Sequence, residues 1–129
     1  TAAPVAGRLR LLATHFDHRP NERERIASVW MINEFIRTSP LQPTLLMGDL
    51  NATPDSGTLK ELHPRWTRSN DQPAPTIPVD KPKHQIDYVL YRPAARWKVV
   101  ETRVLDEAVS RLRFSFAPPP AQQGKVGRG

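Results

Sequence analysis

The chain reads as an α/β (α+β) domain, and three observations carry that reading. A strand pattern, an amphipathic helix pattern and a second strand pattern follow one another between residues 8 and 49. Two further strand patterns, at Ile86–Tyr91 and Trp97–Val104, lie close together after a long loop. Polar side chains able to do chemistry gather where the first two strands end.

Residues 1–7 are small and contain Pro and Gly, which suits a frayed start. Arg8 to Phe16 alternates at first and then turns continuously apolar, as in a strand passing from an exposed edge into a covered sheet. In the segment that follows, Asn21 stands as the expected N-cap, with Glu24 at the capping-box position. Ile26, Val29, Trp30, Ile32 and Ile36 then share one helical stripe. Met31 and Phe35 fall outside it and predict a second covered side, and Thr38-Ser39-Pro40 ends the helix. Thr44-Leu45-Leu46-Met47 is a short buried strand broken at Gly48. Asp55-Ser56-Gly57 starts a short helix through Leu62, stopped by Pro64. Residues 63–85 show no periodicity and read as a long extended loop. Ile86–Tyr91 carries one acid in an apolar and aromatic run, and Trp97–Val104 is expected to pair with it across the Arg92–Arg96 turn.

At 129 residues the length is that of one domain. The chain begins at Thr1 without an initiator methionine or a leader pattern, and is expected to be a piece of something longer. No apolar run approaches membrane-spanning length. The absence of cysteine excludes disulfides and thiolate metal sites, leaving His, Asp, Glu and Asn as ligands. The net charge is +6, but residues 111–129 hold Arg111, Arg113, Lys125 and Arg128 with no acid. The remaining body has 15 basic and 13 acidic residues and is close to balanced, so polyanion binding by the folded part has little support. The expected division is a domain over 1–110 and a basic, Pro-rich, disordered tail over 111–129.

Gly48-Asp49-Leu50-Asn51 is the stretch with most chemical content. If the strand continues through it, Asp49 and Asn51 lie on the same side of the pleat. One is an acceptor-only anion and the other an amide with donors and an acceptor, a pair able to orient a water and hold a phosphate or metal-bound oxygen. The alternative is an Asx-rich loop that simply ends a strand. His15, just past an apolar strand, is either a hydrogen-bonded structural residue or a near-neutral acid, base or phosphate donor. Asp87 interrupts a strand read as buried. There it must be paired, either in a structural ion pair with an arginine or as a carboxylate that orients an imidazole or amide. His84 contacts substrate or is solvated, and His18 is surface. No phosphate-cradling glycine loop, zinc-spaced histidine pair or nucleophile elbow is present.

Taken in order, Thr14-His15-Phe16-Asp17, Gly48-Asp49-Leu50-Asn51 and Ile86-Asp87-Tyr88-Val89-Leu90 resemble the endonuclease/exonuclease/phosphatase superfamily of DNase-like nucleases, sphingomyelinases and inositol-polyphosphate phosphatases. The run Thr76-Ile77-Pro78 and Asp80-Lys81-Pro82 is similar to its bacterial branch, and the likeness covers about residues 9–110. The resemblance implies half of a four-layer α/β sandwich with mixed, largely antiparallel sheets. It implies hydrolysis of phosphate esters (nucleic acid, phospholipid headgroup or small ester) by water attack assisted by Mg²⁺ or Mn²⁺. It matches Asp49 to the residue that activates or orients the water. Asn51 matches its partner on the water or phosphate oxygen, and with Asp49 a weak, water- or phosphate-mediated metal contact. His15 matches the phosphoryl-contacting histidine and Asp87 the acid that orients a terminal histidine.

Two departures temper this. The family's early Asn and metal-binding Glu belong to an N-terminal half that the chain is expected to lack, and the closing Ser-Asp-His is replaced by Ser110-Arg111-Leu112. A frame change after Ser110 is one hypothesis; parent DNA with no alternative frame encoding Asp-His would remove it. The expectation is therefore a fragment with little or no activity alone and an exposed apolar sheet face, which favours marginal stability or aggregation. The alternatives are a non-catalytic polyanion-binding or interaction module, or a degenerate remnant without function.

Overall fold

A computed structural model describes residues 7–105. Strands β1 (Arg10–His15) and β2 (Thr44–Asp49) run parallel and are joined by helix α1 (Arg23–Arg37), the β-α-β unit expected from periodicity. Helix α2 (Gly57–Leu62), the two-residue strand β3 (Thr67–Arg68) and strand β4 (Asp87–Arg92) follow, then a 3₁₀ turn at Ala94–Arg96. The strands form one mixed sheet in the order β1-β2-β4-β3, with β4 antiparallel to both neighbours. One sheet and one helical layer make a two-layer α/β arrangement.

Register divides the sheet into two faces, because directly paired residues point the same way. Leu12, Leu46 and Leu90 form one rank on the helix side, and Leu46 and Leu90 are fully buried. They join Val29 and Ile36 of α1, Leu59 and Leu62 of α2, Phe16, Leu50, Trp66 and Tyr88 in a single core. Burying each such leucine contributes roughly 1.5–3 kcal/mol. The other face is apolar and largely open: Leu11 is 59% and Val89 42% exposed, with Leu45, Met47 and Tyr91 half-buried, and Trp97 meets the Tyr91 ring at one end (centroids 6.1 Å).

Several expectations are corrected by this packing. β1 alternates along its whole length instead of entering a covered sheet, because it is an edge strand with one open face. Trp30 lies off the buried stripe and is 59% exposed, its indole nitrogen donating to Glu61 (2.8 Å). Met31 and Phe35 are exposed too, so no second covered side of α1 exists among the described residues. Residues 97–104 form no strand. Both edges of β4 are taken, by β2 and by β3, so the expected hairpin has no free edge to pair with. The stretch read as pure loop supplies β3, and its Trp66 is buried with the indole donating to Asn33 Oδ1 (3.0 Å). The tail over 111–129 and the changed ending after Ser110 lie outside the described residues.

The capping box also fails to form. The N-cap of α1 is Glu22, with helical backbone and no side-chain cap bond, and Asn21 Oδ1 accepts from Arg23 N–H (2.9 Å). Glu22 turns away from its own helix. Its carboxylate accepts from Thr58 Oγ1 (2.7 Å), Thr58 N–H (3.0 Å) and Gly57 N–H (3.1 Å), serving two orphan donors at the start of α2. Ser56 supplies the local cap of that helix, accepting from Leu59 N–H (3.2 Å). The two helices are thus tied by one carboxylate.

The Thr58 hydroxyl, then the Thr58 N–H, hold Glu22 below the ordinary glutamate value of 4.5 against the opposing effect of burial. A lowered folded-state value means stability that is present above pH 4.5 and lost as pH falls through the folded value. Glu22→Gln is expected to cost roughly 1–2 kcal/mol near neutral pH. In urea unfolding series, the gap between wild type and variant should narrow once pH drops below 4.5. A gap that stays constant through the acid range would assign the cost to shape instead of charge.

Candidate functional site

The same register that builds the core aligns His15, Asp49 and Asp87 in one transverse rank, on the open face of the sheet. They stand at the carboxyl ends of β1 and β2 and the first position of β4. His15 Nε2 lies 3.5 Å from Asp49 Oδ2, a charge contact when the imidazole is protonated. The His15 side chain is 75% exposed and that of Asp49 31%.

Backbone bonds on both sides of Asp49 hold it in place. Its carbonyl accepts from Phe16 N–H (2.9 Å), and the next N–H, of Leu50, donates to Ile86 O (2.8 Å). Leu50 itself is fully buried and pins the turn from below. Gly48, just before Asp49, has φ +137°, and a Cβ there would stand 1.9 Å from Thr14 O, so no other residue fits the seam between β1 and β2.

The pleat argument for Asp49 and Asn51 does not hold, because β2 ends at Asp49 and Asn51 has φ +46°. The two are joined differently. Asp49 Oδ1 accepts the Asn51 N–H (2.8 Å) in an Asx-type turn, and Asn51 Nδ2 donates to Phe16 O (2.8 Å). That tether uses the amide nitrogen and leaves Asn51 Oδ1 free of it. Asparagine tolerates the left-handed backbone better than most residues, so one side chain meets both requirements.

The reading of Asp87 as a buried, paired acid is also corrected. It is exposed, and its carboxylate makes no ion pair or hydrogen bond with a described residue. Its apolar neighbours predict a buried strand, but Asp87 is the first residue of that strand and faces the open side of the sheet. His84 and His18 are both exposed and outside the rank.

Sequence reasoning missed the supports beneath the site. The buried Tyr88 hydroxyl lies 2.8 Å from Ala52 O and 3.0 Å from Gln85 O, and with one hydrogen it serves one carbonyl at a time. Burial pushes its pKa up, so the phenol stays a donor. Gln85, also buried, exchanges hydrogen bonds with Asn70 (3.1 Å each way) and reaches Asp87 O (3.3 Å). Arg25 of α1 is buried and donates to Asp17 O (2.9 Å) and Arg19 O (2.6 Å), fixing the loop after His15. Helical spacing places Arg25 on the same side as Val29 and Ile36, but its charge argues against burial until the two carbonyls are seen.

The Endonuclease/Exonuclease/phosphatase family profile matches residues 2–115. The chain belongs to this family. Family members have a metal-dependent phosphoesterase type of fold, generally use a divalent metal and act on phosphate esters. Among solved structures, the chain is similar to a functionally unknown conserved protein from Enterococcus faecalis V583 (TM-score 0.53, 24% identity, 63% of this chain and 36% of that one). It is also similar to an endonuclease/exonuclease/phosphatase family protein from Bacteroides thetaiotaomicron (TM-score 0.56, 17% identity, 65% of this chain and 35% of that one). At these identities the likeness speaks to fold, and the chain spans about a third of the length of either protein. No curated protein matches the chain.

Asn51 has two jobs, so two substitutions separate them. Asn51→Gly keeps the left-handed backbone and loses the tether to Phe16, at a cost of about 1 kcal/mol. Asn51→Ala loses both and should cost about 1 kcal/mol more. Denaturant midpoints of the two variants check this; equal losses would show that the backbone angle carries no cost.

Proposed function

We propose that His15, Asp49, Asn51 and Asp87 form one side of a divalent-metal-dependent phosphoesterase centre, and that the chain by itself has little or no hydrolytic activity. The alignment of His15, Asp49 and Asp87 in a single rank on the open face carries the reading. In this assignment Asp49 activates or orients the attacking water. Asn51 Oδ1 accepts from that water or steadies a phosphate oxygen across the turn. His15, 75% exposed at its side chain, donates to the phosphoryl group. Asp87, with a carboxylate free of described partners, orients an imidazole or amide that reaches it from elsewhere in the domain.

Mg²⁺, or Mn²⁺, is the proposed ion. Asp49 and Asn51 offer hard oxygen donors of the right kind. They do not suffice in number, since no group of three His, Asp or Glu side chains among the described residues could hold a metal. The remaining ligands and the acid/base histidine would come from parts of the domain outside residues 7–105. The open apolar face around Leu11, Met47 and Val89 fits the same view, as a surface that a further layer covers.

The purified chain with Mg²⁺ and a generic nitrophenyl phosphodiester is expected to give no turnover above background, since loss of general acid/base catalysis alone costs about 10²–10⁴ in rate. Hydrolysis that requires Mg²⁺ and disappears in Asp49→Ala would overturn the inactivity claim. The site assignment is tested separately by Mn²⁺ line broadening in NMR spectra. Weak broadening should centre on residues 15, 49 and 51 and vanish in Asp49→Ala; broadening centred elsewhere counts against the assignment.

A further inference from the structure

β1 ends the sheet on one side, and no described residue pairs with its outer edge. Arg10 N–H donates to Pro43 O and Phe16 N–H to Asp49 O (2.9 Å each), so the even-numbered residues of β1 bond inward to β2. Leu11, Ala13 and His15 therefore turn their N–H and C=O groups outward, and all three residues are exposed. The strand carries none of the devices that usually blunt an edge: from Leu11 to Thr14 there is no proline, no charge and no bulge. Its six residues give a template roughly 20 Å long.

Apolar side chains flank this edge on both faces of the sheet. On the open face Leu11 is 59% exposed, and Leu9, one pleat earlier, 49%. On the helix side the Arg10 guanidinium lies over the Phe35 ring (5.1 Å), which places that ring beside β1. Phe35 is 59% exposed and Met31, one turn earlier in α1, 74%. Trp30 turns the other way, to Glu61 of α2. The exposed apolar groups thus gather beside an unpaired backbone, and what fits an unpaired backbone is another strand. An antiparallel copy of β1, with the two-fold axis at Leu11, matches this pattern. It sets Leu11 against Leu11 and Leu9 against Ala13, apolar on apolar, and brings the Phe35 rings of the two α1 helices together near the axis. Axes at Leu12 or Ala13 would place His15 opposite a leucine instead.

We propose that this chain associates with a second copy of itself through the β1 edge, continuing the sheet across a two-fold axis at Leu11. The polar groups at Asp49 and Asp87 stay open in that arrangement, and the association does not depend on the function proposed for them. With one strand and one helix flank from each copy, the interface is at the small end for specific association, under about 1,200 Å² in total, so the dimer is weak and forms at roughly 10–100 µM.

The test is sedimentation equilibrium of the whole chain from micromolar to millimolar concentration, with amide hydrogen exchange followed by NMR at both ends of that range. The mass is expected to rise from monomer to dimer. The Leu11 and Ala13 amides should become protected only at the high end, while those of Leu12 and Thr14 are protected throughout. Phe35→Glu, at an exposed position where the new carboxylate can pair with Arg10, should weaken association about tenfold, and Met31→Lys on the same flank should weaken it too. Val89→Lys, on the open face away from the edge, should leave it unchanged. A chain that stays monomeric at millimolar concentration overturns the proposal. So does a dimer lost in Val89→Lys but kept in Phe35→Glu, which assigns the contact to the open face. Protection of Leu11 and Ala13 at every concentration also overturns it, since the edge is then paired within one chain.

Discussion

The close approach of Gly48 to the Thr14 carbonyl is the constraint on which the site depends. With φ +137° and no room for a Cβ, this position accepts only glycine. It sits one residue before Asp49, so it determines whether β2 can stay against β1 long enough to bring Asp49 beside His15. The ladder then continues through Phe16 N–H to Asp49 O and Leu50 N–H to Ile86 O, joining three strands at one level. A side chain at Gly48 would separate β1 from β2 where the polar groups meet.

The two faces of the sheet divide the work. On the helix side, Leu46, Leu90 and Tyr88 meet α1 and α2 and supply most of the burial. On the other side the apolar row of Leu11, Met47 and Val89 leads to the polar rank. Alternation along each strand makes both possible, since core and site residues are neighbours in sequence and opposites in direction. Leu50 and Asn51 complete the change of direction, one buried in the core and the other turned through a left-handed backbone to hold the Phe16 carbonyl.

Charge is distributed along the sheet as well as across it. Two carboxylates and an imidazole stand at one end, and Arg10 and Arg92 at the other, five residue steps away or roughly 17 Å along the strands. At that spacing in ordinary salt the two ends interact weakly, because the separation exceeds a Debye length of about 8 Å. The helical layer is bound to itself by Glu22, which leaves the start of α1 to serve the start of α2. The loop after His15 is held by Arg25 through two backbone carbonyls.

Some of this was legible in the sequence alone. The β-α-β unit and the short helix opened by Ser56 rest on local spacing, while the motifs at His15, Asp49 and Asp87 are legible through their resemblance to the family. Hydrogen-bond geometry makes such spacing meaningful without knowledge of the rest of the chain. Only the tertiary structure decided that β3, not residues 97–104, takes the second edge of β4, because a strand has two edges and sequence does not rank the claimants. Only it decided that Asp87 is exposed, that Trp30 leaves the buried stripe, and that Asn51 meets Asp49 through a turn instead of a pleat. Burial and pairing belong to the neighbours that a residue meets, and those neighbours are assembled from distant parts of the chain.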